Sequence, residues 1–351
     1  MKSQSVVAHG APLQEFVKEA PEPQGTEVLV KVKYCGVCHS DVHLHDGYFD
    51  LGGGNTLDIT GIHTLPLTLG HEIEGEVAAL GPLVEGSAAG DKRVVFPWIG
   101  CGDCPVCARG AEHLCNKPRA LGVNVDGGYS DHVLVPHSRY LLDYEGIPEG
   151  LAATYMCSGL AAYSALNKLA PIAAGESIAI VGLGGLGMMG LQFARALYPE
   201  AAVIGVDVDD GKLEAALKSG ASAVYNSGQE DAAKQVIKAT KGGVSGAVDF
   251  VGAETSLGFA NQATARGGKV AIVGLFGGRL SMPIPMFPLR AISLIGSYAG
   301  SLAEAMAMLD LVKAGKVDPI PIEQRPLDQA GPTLDDLRQG KVLGRVVLTC
   351  A

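Results

Sequence analysis

Apolar and polar positions follow two different patterns along this chain. Near the N-terminus, apolar and charged side chains alternate from Val28 to Tyr34, which is typical of a half-buried strand, and Gly, Pro and Asp repeatedly interrupt the surrounding sequence. Near residue 150 the pattern changes, and the stretch 177–197, SIAIVGLGGLGMMGLQFARAL, indicates an apolar strand, a glycine turn and a helix. The apolar face of that helix consists of Leu186, Met189, Phe193 and Leu197. We therefore expect a β-rich first part followed by a strand–helix unit.

Four more apolar runs follow this unit, the segments AVIGVDV, GAVDFVG, GKVAIVGLFGG and ISLIGSYAG. Each suits a parallel strand that is buried on both faces, and helical segments separate the runs. The alternation predicts an α/β domain with a doubly wound parallel sheet. After about residue 297 the chain contains a helical AEAMAMLDLVKAG and a strand-like VLGRVVLTC, and we expect this tail to rejoin the first domain.

Length and composition narrow the class of protein. A chain of 351 residues predicts two domains, and 47% hydrophobic residues supply enough apolar surface for both cores. The formal net charge of −10 argues against a nucleic-acid partner, because phosphate binding needs concentrated Lys and Arg, and favours small molecules. No apolar run is long enough to span a membrane, and the N-terminal MKSQSVVAHG lacks the apolar core of a signal peptide, so we expect a cytoplasmic protein.

Half of the eight cysteines fall in one stretch, CGDCPVCARGAEHLC, at positions Cys101, Cys104, Cys107 and Cys115. In a reducing compartment such a cluster is more often a metal site than a set of disulfides. Four thiolates suit a closed tetrahedral zinc that has no free position, and such an ion only stabilises the lobe around it, about residues 96–118. The alternatives are an iron–sulfur cluster, whose usual fourth spacing differs, four unligated thiols, and a zinc ribbon that binds DNA.

Three other segments contain single metal-ligating side chains, and each alone is weak evidence. They are CHSDVH with Cys38, LGHEIEG with His71 and MCSG with Cys157. Together with the four-cysteine lobe, GGYSDHVLVP, GLGGLG and GVDV, and in this order, the chain from about Val28 onward resembles the zinc-dependent alcohol dehydrogenases of the medium-chain dehydrogenase/reductase superfamily.

The resemblance implies a second, open zinc site. Its ligands would be Cys38, His71 and Cys157, with Glu72 as a nearby carboxylate. An open zinc site acidifies an oxygen bound to it and polarises a carbonyl group. The resemblance also makes Ser40 the start of a proton relay that leads to His43, and makes Asp41 the carboxylate that orients the zinc-bound histidine. The alternative is that these three polar residues only form a turn.

The cofactor site is predicted around GLGGLG, at residues Gly182, Gly184, Gly185, Leu186 and Gly187. Its glycines lie between a strand and a helix, whose N–H groups suit a pyrophosphate. Asp207 ends the next strand, 20 residues after Gly187, and a carboxylate there binds ribose hydroxyls and prefers NAD to NADP. The resemblance adds contacts from His39, Lys212, Val251, Val273 and Arg345.

Three features depart from simple expectations. Cys35 and Cys38 form a CxxC that could be a redox dithiol, although we interpret Cys35 as a spare buried thiol. Between His43 and His71 lies a long glycine-rich loop that could border the substrate entrance. An apolar pocket with Trp98, and with Tyr48 or Phe49, would favour aliphatic or aromatic alcohols.

The sequence therefore predicts an NAD-dependent alcohol dehydrogenase with two zinc ions per chain. We expect a GroES-like catalytic domain, residues 1–155 with 296–351, around a Rossmann domain, residues 156–295, and by resemblance a homotetramer. The rival functions are a polyol or sugar dehydrogenase of the same superfamily and a non-catalytic NAD-binding regulatory protein.

Overall fold

A computed structural model describes residues 1–342 and 344–350. The strands before residue 150 are β1 (Lys2–Val6), β2 (Gln14–Val17), β3 (Val28–Val37), β4 (Tyr48–Asp50), β5 (Thr56–Asp58), β6 (Leu67–Thr68), β7 (Glu72–Leu80), β8 (Lys92–Val95), β9 (His132–Val135) and β10 (Leu141–Leu142). The later strands are β11 (Ser177–Val181), β12 (Ala202–Asp207), β13 (Ala223–Asn226), β14 (Val244–Asp249), β15 (Thr264–Ile272), β16 (Ser293–Gly296), β17 (Ile322–Pro326) and β18 (Arg345–Thr349).

Eleven α-helices connect these strands within the described residues. They are α1 (His39–Asp46), α2 (Pro105–Ala108), α3 (Leu151–Thr154), α4 (Leu160–Leu169), α5 (Gly185–Leu197), α6 (Asp210–Lys218), α7 (Ala232–Ala239), α8 (Glu254–Ala263), α9 (Met286–Arg290), α10 (Leu302–Lys313) and α11 (Ala330–Arg338). One turn of π-helix, Tyr155–Gly159, joins α3 to α4 and makes them one continuous helical run. None of the helices in the described part is both long and apolar enough to cross a membrane.

The six strands from β11 to β16 form one parallel sheet. Its strand order is β13-β12-β11-β14-β15-β16, with every pairing parallel. Along β11, Ile178 and Ile180 pack in the core that contains residues of α4 and α5, whereas Ala179 and Val181 belong to a second core with residues of α7 and α8. Both faces of the sheet are therefore covered, which explains the continuous apolar runs in the sequence.

The fold differs from the sequence expectation in two strands. The ISLIGSYAG segment forms β16, which lies at the sheet edge and is partly exposed rather than buried on both faces, because it has a neighbour on one side only. The start of β3 shows the opposite deviation. Val28, Leu29 and Val30 are all buried, because β3 lies inside its sheet and pairs with β7, β9 and β18.

The remaining strands form sheets that are mainly antiparallel. The larger sheet has the order β10-β8-β7-β3-β18-β17, and β9 also pairs with β3. Strand β18, from the C-terminal tail, pairs antiparallel with β3 and parallel with β17. A three-stranded sheet, β2-β1-β6, and the hairpin β4-β5 complete this part. The sheet brings the starts of β7 and β18 close to α1 and to the π-turn, where the candidate site lies.

Candidate active site

Three segments that are far apart in sequence bring Cys38, His71 and Cys157 together. Cys38 immediately precedes α1, His71 immediately precedes β7, and Cys157 lies in the π-turn. Their ligand atoms all lie within 4.8 Å of one another, and the two sulfur atoms are 3.9 Å apart. This spacing suits one ion bound by two thiolates and an imidazole.

The orientation of His71 is fixed by Asp41. Asp41 Oδ1 lies 3.2 Å from Nδ1 of His71, while its Oδ2 accepts hydrogen bonds from the Cys38 backbone N–H (2.9 Å) and the Tyr129 hydroxyl (3.1 Å). Both ring nitrogens of His71 are buried: Nδ1 has only the ion-pair contact with Asp41, and Nε2 has no polar partner among the described residues. Leaving such an atom unpaired costs about 1–3 kcal/mol, and a bound cation would remove that cost. The residues present therefore fit a zinc ion.

The two thiols also point to a cation. The hydrogen bond between them raises the pKa of Cys157 well above its ordinary value, and the same contact lowers the pKa of Cys38 well below it. Two thiolates 3.9 Å apart repel each other, so only one of them ionises readily without a neighbouring positive charge. A divalent cation would stabilise both thiolates.

A buried ion pair lies behind the two cysteines. Glu72 is fully buried and pairs with Nη2 of Arg345, and its Oε1 accepts hydrogen bonds from the Ser158 hydroxyl (2.8 Å) and backbone N–H (3.2 Å). Burial raises the pKa of Glu72, and Arg345 opposes that shift. A Cβ at Gly36 would lie 1.9 Å from Oε2 of Glu72, so only glycine leaves room for this carboxylate.

Arg345 connects this ion pair with the glycine turn. Its Cδ lies 2.6 Å from the position that a Cβ on Gly185 would occupy. We predicted Arg345 as a pyrophosphate contact, and the structure places it beside the turn with its Nη2 on Glu72. Sequence reasoning missed this pairing and the role of Ser158, because neither residue is near Glu72 in the chain.

The residues of the predicted proton relay lie on one side of α1. The Ser40 hydroxyl is 3.8 Å from Sγ of Cys38, and His43 follows one turn later with its ring 4.6 Å from the ring of Phe49. Burial lowers the pKa of His43, which keeps it neutral near pH 7. No hydrogen bond joins Ser40 to His43 in the part of the chain that the structure describes, and His39 is exposed at the start of the helix.

The four-cysteine lobe has the geometry of a closed site. Sulfur separations among Cys101, Cys104, Cys107 and Cys115 are 3.5, 3.5, 3.8 and 3.9 Å for the four pairs in contact. A tetrahedral zinc with bonds of about 2.3 Å would give separations of about 3.8 Å. The backbone N–H of Cys107 lowers the pKa of Cys104 to about 7, which favours the thiolate. Buried Glu112 links the lobe to Tyr140 and Arg139 by hydrogen bonds.

The glycine turn is built for close approach. Gly182 has φ +87°, and a Cβ on Gly187 would lie 1.7 Å from the Gly182 carbonyl oxygen. Gly184 caps α5 with no side-chain hydrogen bond, and nothing lies within 4 Å of its Cβ position. This open space beside free N–H groups at a helix start is a cradle for a pyrophosphate. Leu186, in the first turn of the helix, packs against the core.

Asp207 has a second role that the sequence did not reveal. Its carboxylate accepts hydrogen bonds from the backbone N–H groups of Leu183 (2.7 Å), Val208 (2.8 Å) and Asp209 (3.1 Å). It therefore fixes the end of β12 to the glycine turn, while 8% of its surface stays exposed. Lys212 lies in the first turn of α6, and its side chain makes no hydrogen bond or ion pair with any described residue.

The apolar residues predicted near the cofactor lie at strand ends. Val251 follows β14, and its Cγ2 lies 2.5 Å from the Cβ position of Gly182. Val273 follows β15 and donates its N–H to the Asp249 carbonyl. The buried carboxylate of Asp249, which sequence reasoning did not select, accepts the N–H groups of Val251 (3.0 Å) and Gly252 (3.1 Å). The sequence could have indicated Asp249, because it ends an apolar strand just as Asp207 does.

A cavity of about 450 Å³ borders the four-cysteine lobe at Glu112, His113 and Cys115, and Trp98 in its wall connects it to the three-residue site. Trp98 forms one wall and packs against both the His71 ring (5.4 Å between centroids) and the Tyr298 ring (5.5 Å). Ala120 and Val123 are also part of the lining. Of the other predicted pocket residues, Tyr48 is 46% exposed and Phe49 packs on His43, and neither lines this cavity.

Comparison with known proteins gives matches along the whole chain. Residues 24–146 match the alcohol dehydrogenase GroES-like domain, and residues 185–314 match the zinc-binding dehydrogenase family. The NAD-dependent alcohol dehydrogenase of Sulfurisphaera tokodaii is 38% identical over 350 residues, 99% of each chain. The crystal structure of the alcohol dehydrogenase from Aeropyrum pernix has a TM-score of 0.88 and 30% identity over 99% of this chain and 100% of that one. That of D-arabinose dehydrogenase from Sulfolobus solfataricus has a TM-score of 0.84 and 28% identity over 99% of both.

These matches and the geometry of the site define the class of protein to which the chain belongs. The chain belongs to the zinc-dependent alcohol dehydrogenases of the medium-chain dehydrogenase/reductase superfamily. It is an oxidoreductase, an alcohol dehydrogenase that depends on NAD and zinc. The predicted fold class, a Rossmann sheet with a GroES-like β-rich domain, is confirmed.

Proposed function

We propose that Cys38, His71 and Cys157 hold the zinc ion at which this enzyme exchanges hydride between an alcohol and NAD. The observation that carries this proposal is the convergence of the three ligand atoms within 4.8 Å, with Asp41 fixing His71. Bound there, zinc would supply a Lewis acid that withdraws electron density from the alcohol or carbonyl oxygen. The four-cysteine lobe would hold a second, structural zinc, so that each chain binds two ions.

The residues of α1 would handle the proton. Ser40, beside Cys38, is in position to take the alcohol proton, and the neutral imidazole of His43 one turn later is able to accept it. Since no hydrogen bond joins the two side chains in the described structure, the relay would need the cofactor ribose between them, as the family resemblance implies. Trp98, which is buried and packs against His71, would help to exclude water from the reacting atoms.

The cofactor domain would bind NAD across the carboxyl ends of its strands. The free N–H groups at the start of α5 would receive the pyrophosphate, and the carboxylate of Asp207, which is 8% exposed, would accept the adenosine ribose hydroxyls. Lys212 would contact the same ribose, and Val251 and Val273 would line the cofactor. We place this domain at residues 156–295 and the catalytic domain at 1–155 and 296–351.

The cavity favours simple alcohols over sugars. Ala120 and Val123 give the lining an apolar part, and two of its polar side chains already have partners: Asn124 accepts from the Ala120 N–H and donates to the Ile62 carbonyl, and Trp98 donates to the Met156 carbonyl. A polyol would leave hydroxyl groups unpaired against such walls. The structural likeness to D-arabinose dehydrogenase keeps the sugar alternative as an outcome of the test. Rates of NADH formation with ethanol, benzyl alcohol, cyclohexanol and sorbitol decide between them.

We also propose a cytoplasmic homotetramer. Support for self-association comes from the partly exposed edge strand β16 and from exposed apolar side chains in the segment between β15 and β16, namely Phe276 (72% exposed), Ile284 (80%) and Leu289 (61%). All eight cysteines are free of disulfide bonds, as in a reducing compartment. Mass photometry should give four times the 36.1 kDa chain mass, and Ile284→Glu should lower it.

Metal analysis of Cys38→Ala and Cys107→Ala tests the two-site assignment. We expect two zinc ions in the wild-type chain and one fewer in each variant. Cys38→Ala should lose activity and keep its thermal stability, whereas Cys107→Ala should lose stability and keep more activity. Cys350→Ala, a buried cysteine outside both clusters, serves as the control and should keep both ions. Full activity in Cys38→Ala would overturn the assignment.

A further inference from the structure

Strand β7 carries two buried carboxylates on one face, and both bind the helical run that contains Cys157. Glu72 accepts the backbone N–H of Ser158, as described above. Glu74, only 1% exposed, accepts the backbone N–H groups of Gly150 (2.8 Å) and Ala153 (3.2 Å) with its Oε2. These bonds cap the first turn of the run, where the donors have no helical partner.

Cys157 lies between the two attachment points. It follows Ala153 by four residues and precedes Ser158 by one, and its own segment is a π-turn. His71 lies directly before the same strand. Strand β7 therefore begins directly after His71, and its residues Glu72 and Glu74 bind the helical run on both sides of Cys157. The sequence separation of His71 and Cys157 does not fix the distance between them, whereas these bonds tie the segment of Cys157 to the strand that follows His71.

We propose that Glu74 is a positioning residue of the zinc site, which sets the place of Cys157 relative to His71 by binding the start of its helical run. The inference rests on the proposed zinc site, and Glu74 itself touches none of the three ligands. Glu72 cannot replace it, since Glu72 binds only the far end of the segment, at Ser158.

The strength of this attachment depends on the charge of Glu74. Burial raises its pKa to about 7, and Glu149 adds a like charge, while Tyr144 and the two N–H donors oppose the shift. Lys92 on β8 faces the same region but pairs with Glu149 at 2.6 Å, and Tyr34 on β3 is the cross-strand neighbour. Oε1 of Glu74 has no hydrogen-bond partner among the described residues, so it is free to take the proton. A neutral carboxyl accepts weaker hydrogen bonds than a carboxylate.

The test measures how fast the zinc-loaded enzyme loses its catalytic zinc to a chelator. At pH 8, Glu74→Gln should lose this zinc about 3- to 10-fold faster than the wild type. The reason is that the side chain at position 74 is mostly charged in the wild type at this pH and neutral in the variant. At pH 6 the two rates should agree within about twofold, since both side chains are then largely neutral. Glu74→Ala should lose zinc faster at both pH values. Comparing proteins at one pH cancels the protonation of the ligands themselves.

Controls separate this inference from the proposed function. Glu76→Gln, two residues along the same strand at the surface, should match the wild type at both pH values. Cys38→Ala should show no release of a catalytic zinc to the chelator. If Cys38→Ala still releases that zinc, the proposed zinc site is wrong, whatever the result for Glu74. If Glu74→Gln releases zinc at the wild-type rate at pH 8, Glu74 has no positioning role. Circular dichroism of Glu74→Gln, which keeps the size of the side chain, verifies that the comparison is between folded proteins.

Discussion

Asp41 and His71 form a buried contact in which Oδ1 of the carboxylate lies 3.2 Å from Nδ1 of the ring. The contact leaves Nε2 of His71 as the nitrogen available to a metal ion. Because Oδ2 of Asp41 also accepts the Cys38 N–H, one carboxylate orients two of the three candidate ligands. This arrangement makes Asp41 the most informative residue outside the ligand set.

Asp41→Asn should weaken zinc binding without removing a ligand. The amide keeps the size of the side chain but loses the charge that makes the ring a better donor, so we expect a 10- to 100-fold loss in zinc affinity or activity. Competition with a chelator and kcat/KM at saturating zinc measure the two effects. Asp131→Asn is the matched control, since Asp131 bonds His132 at 2.9 Å near the surface. An unchanged zinc affinity in Asp41→Asn would contradict this role.

Gly187→Ala should impair NAD binding. The added methyl group would lie 1.7 Å from the Gly182 carbonyl oxygen, so the turn or the helix must move. We expect at least a tenfold rise in the Kd for NAD, measured by calorimetry. Gly258→Ala in α8 has open space around the new methyl group and should leave the Kd unchanged. Tight NAD binding by Gly187→Ala would show that the turn is not the pyrophosphate site.

The charge of Glu74 should make stability depend on pH. Its pKa is higher in the folded protein (about 7) than in the unfolded chain (4.5), so the stability it contributes is complete below about pH 4.5 and is lost as the pH rises through 7. The loss amounts to at most about 3 kcal/mol, from 1.36 kcal/mol per pKa unit. Urea unfolding at pH 5 and pH 8 should show a smaller difference for Glu74→Gln than for the wild type. Equal differences would mean that folding does not raise the pKa of Glu74.

Ala120→Phe should narrow the range of alcohols. Ala120 lines the cavity that Trp98 and Tyr298 border, and a phenyl ring would fill part of its 450 Å³. We expect kcat/KM for cyclohexanol and benzyl alcohol to fall about tenfold, whereas that for ethanol should change less than twofold. Val17→Phe, at a position that is 79% exposed, is the control. A uniform fall for all three alcohols would indicate a folding defect rather than a change in cavity shape.

The sequence by itself determined the features that depend on neighbouring residues. The spacing of Cys101 to Cys115 places four sulfur atoms within reach of one another through tight local turns. The run GLGGLG predicts its own turn, because the backbone requires glycine at Gly182 and Gly187. The alternation of apolar strands and helices likewise predicted the doubly wound sheet, because strand and helix periodicity are local properties.

Only the tertiary structure decided which distant residues share a site. Arg345 and Glu72 are 273 positions apart, and their ion pair exists because β18 lies beside β3 and β3 beside β7. The partners of Glu74 depend in the same way on how the helical run packs against β7. No local pattern encodes these contacts, since they result from the burial of whole sheet and helix faces against each other.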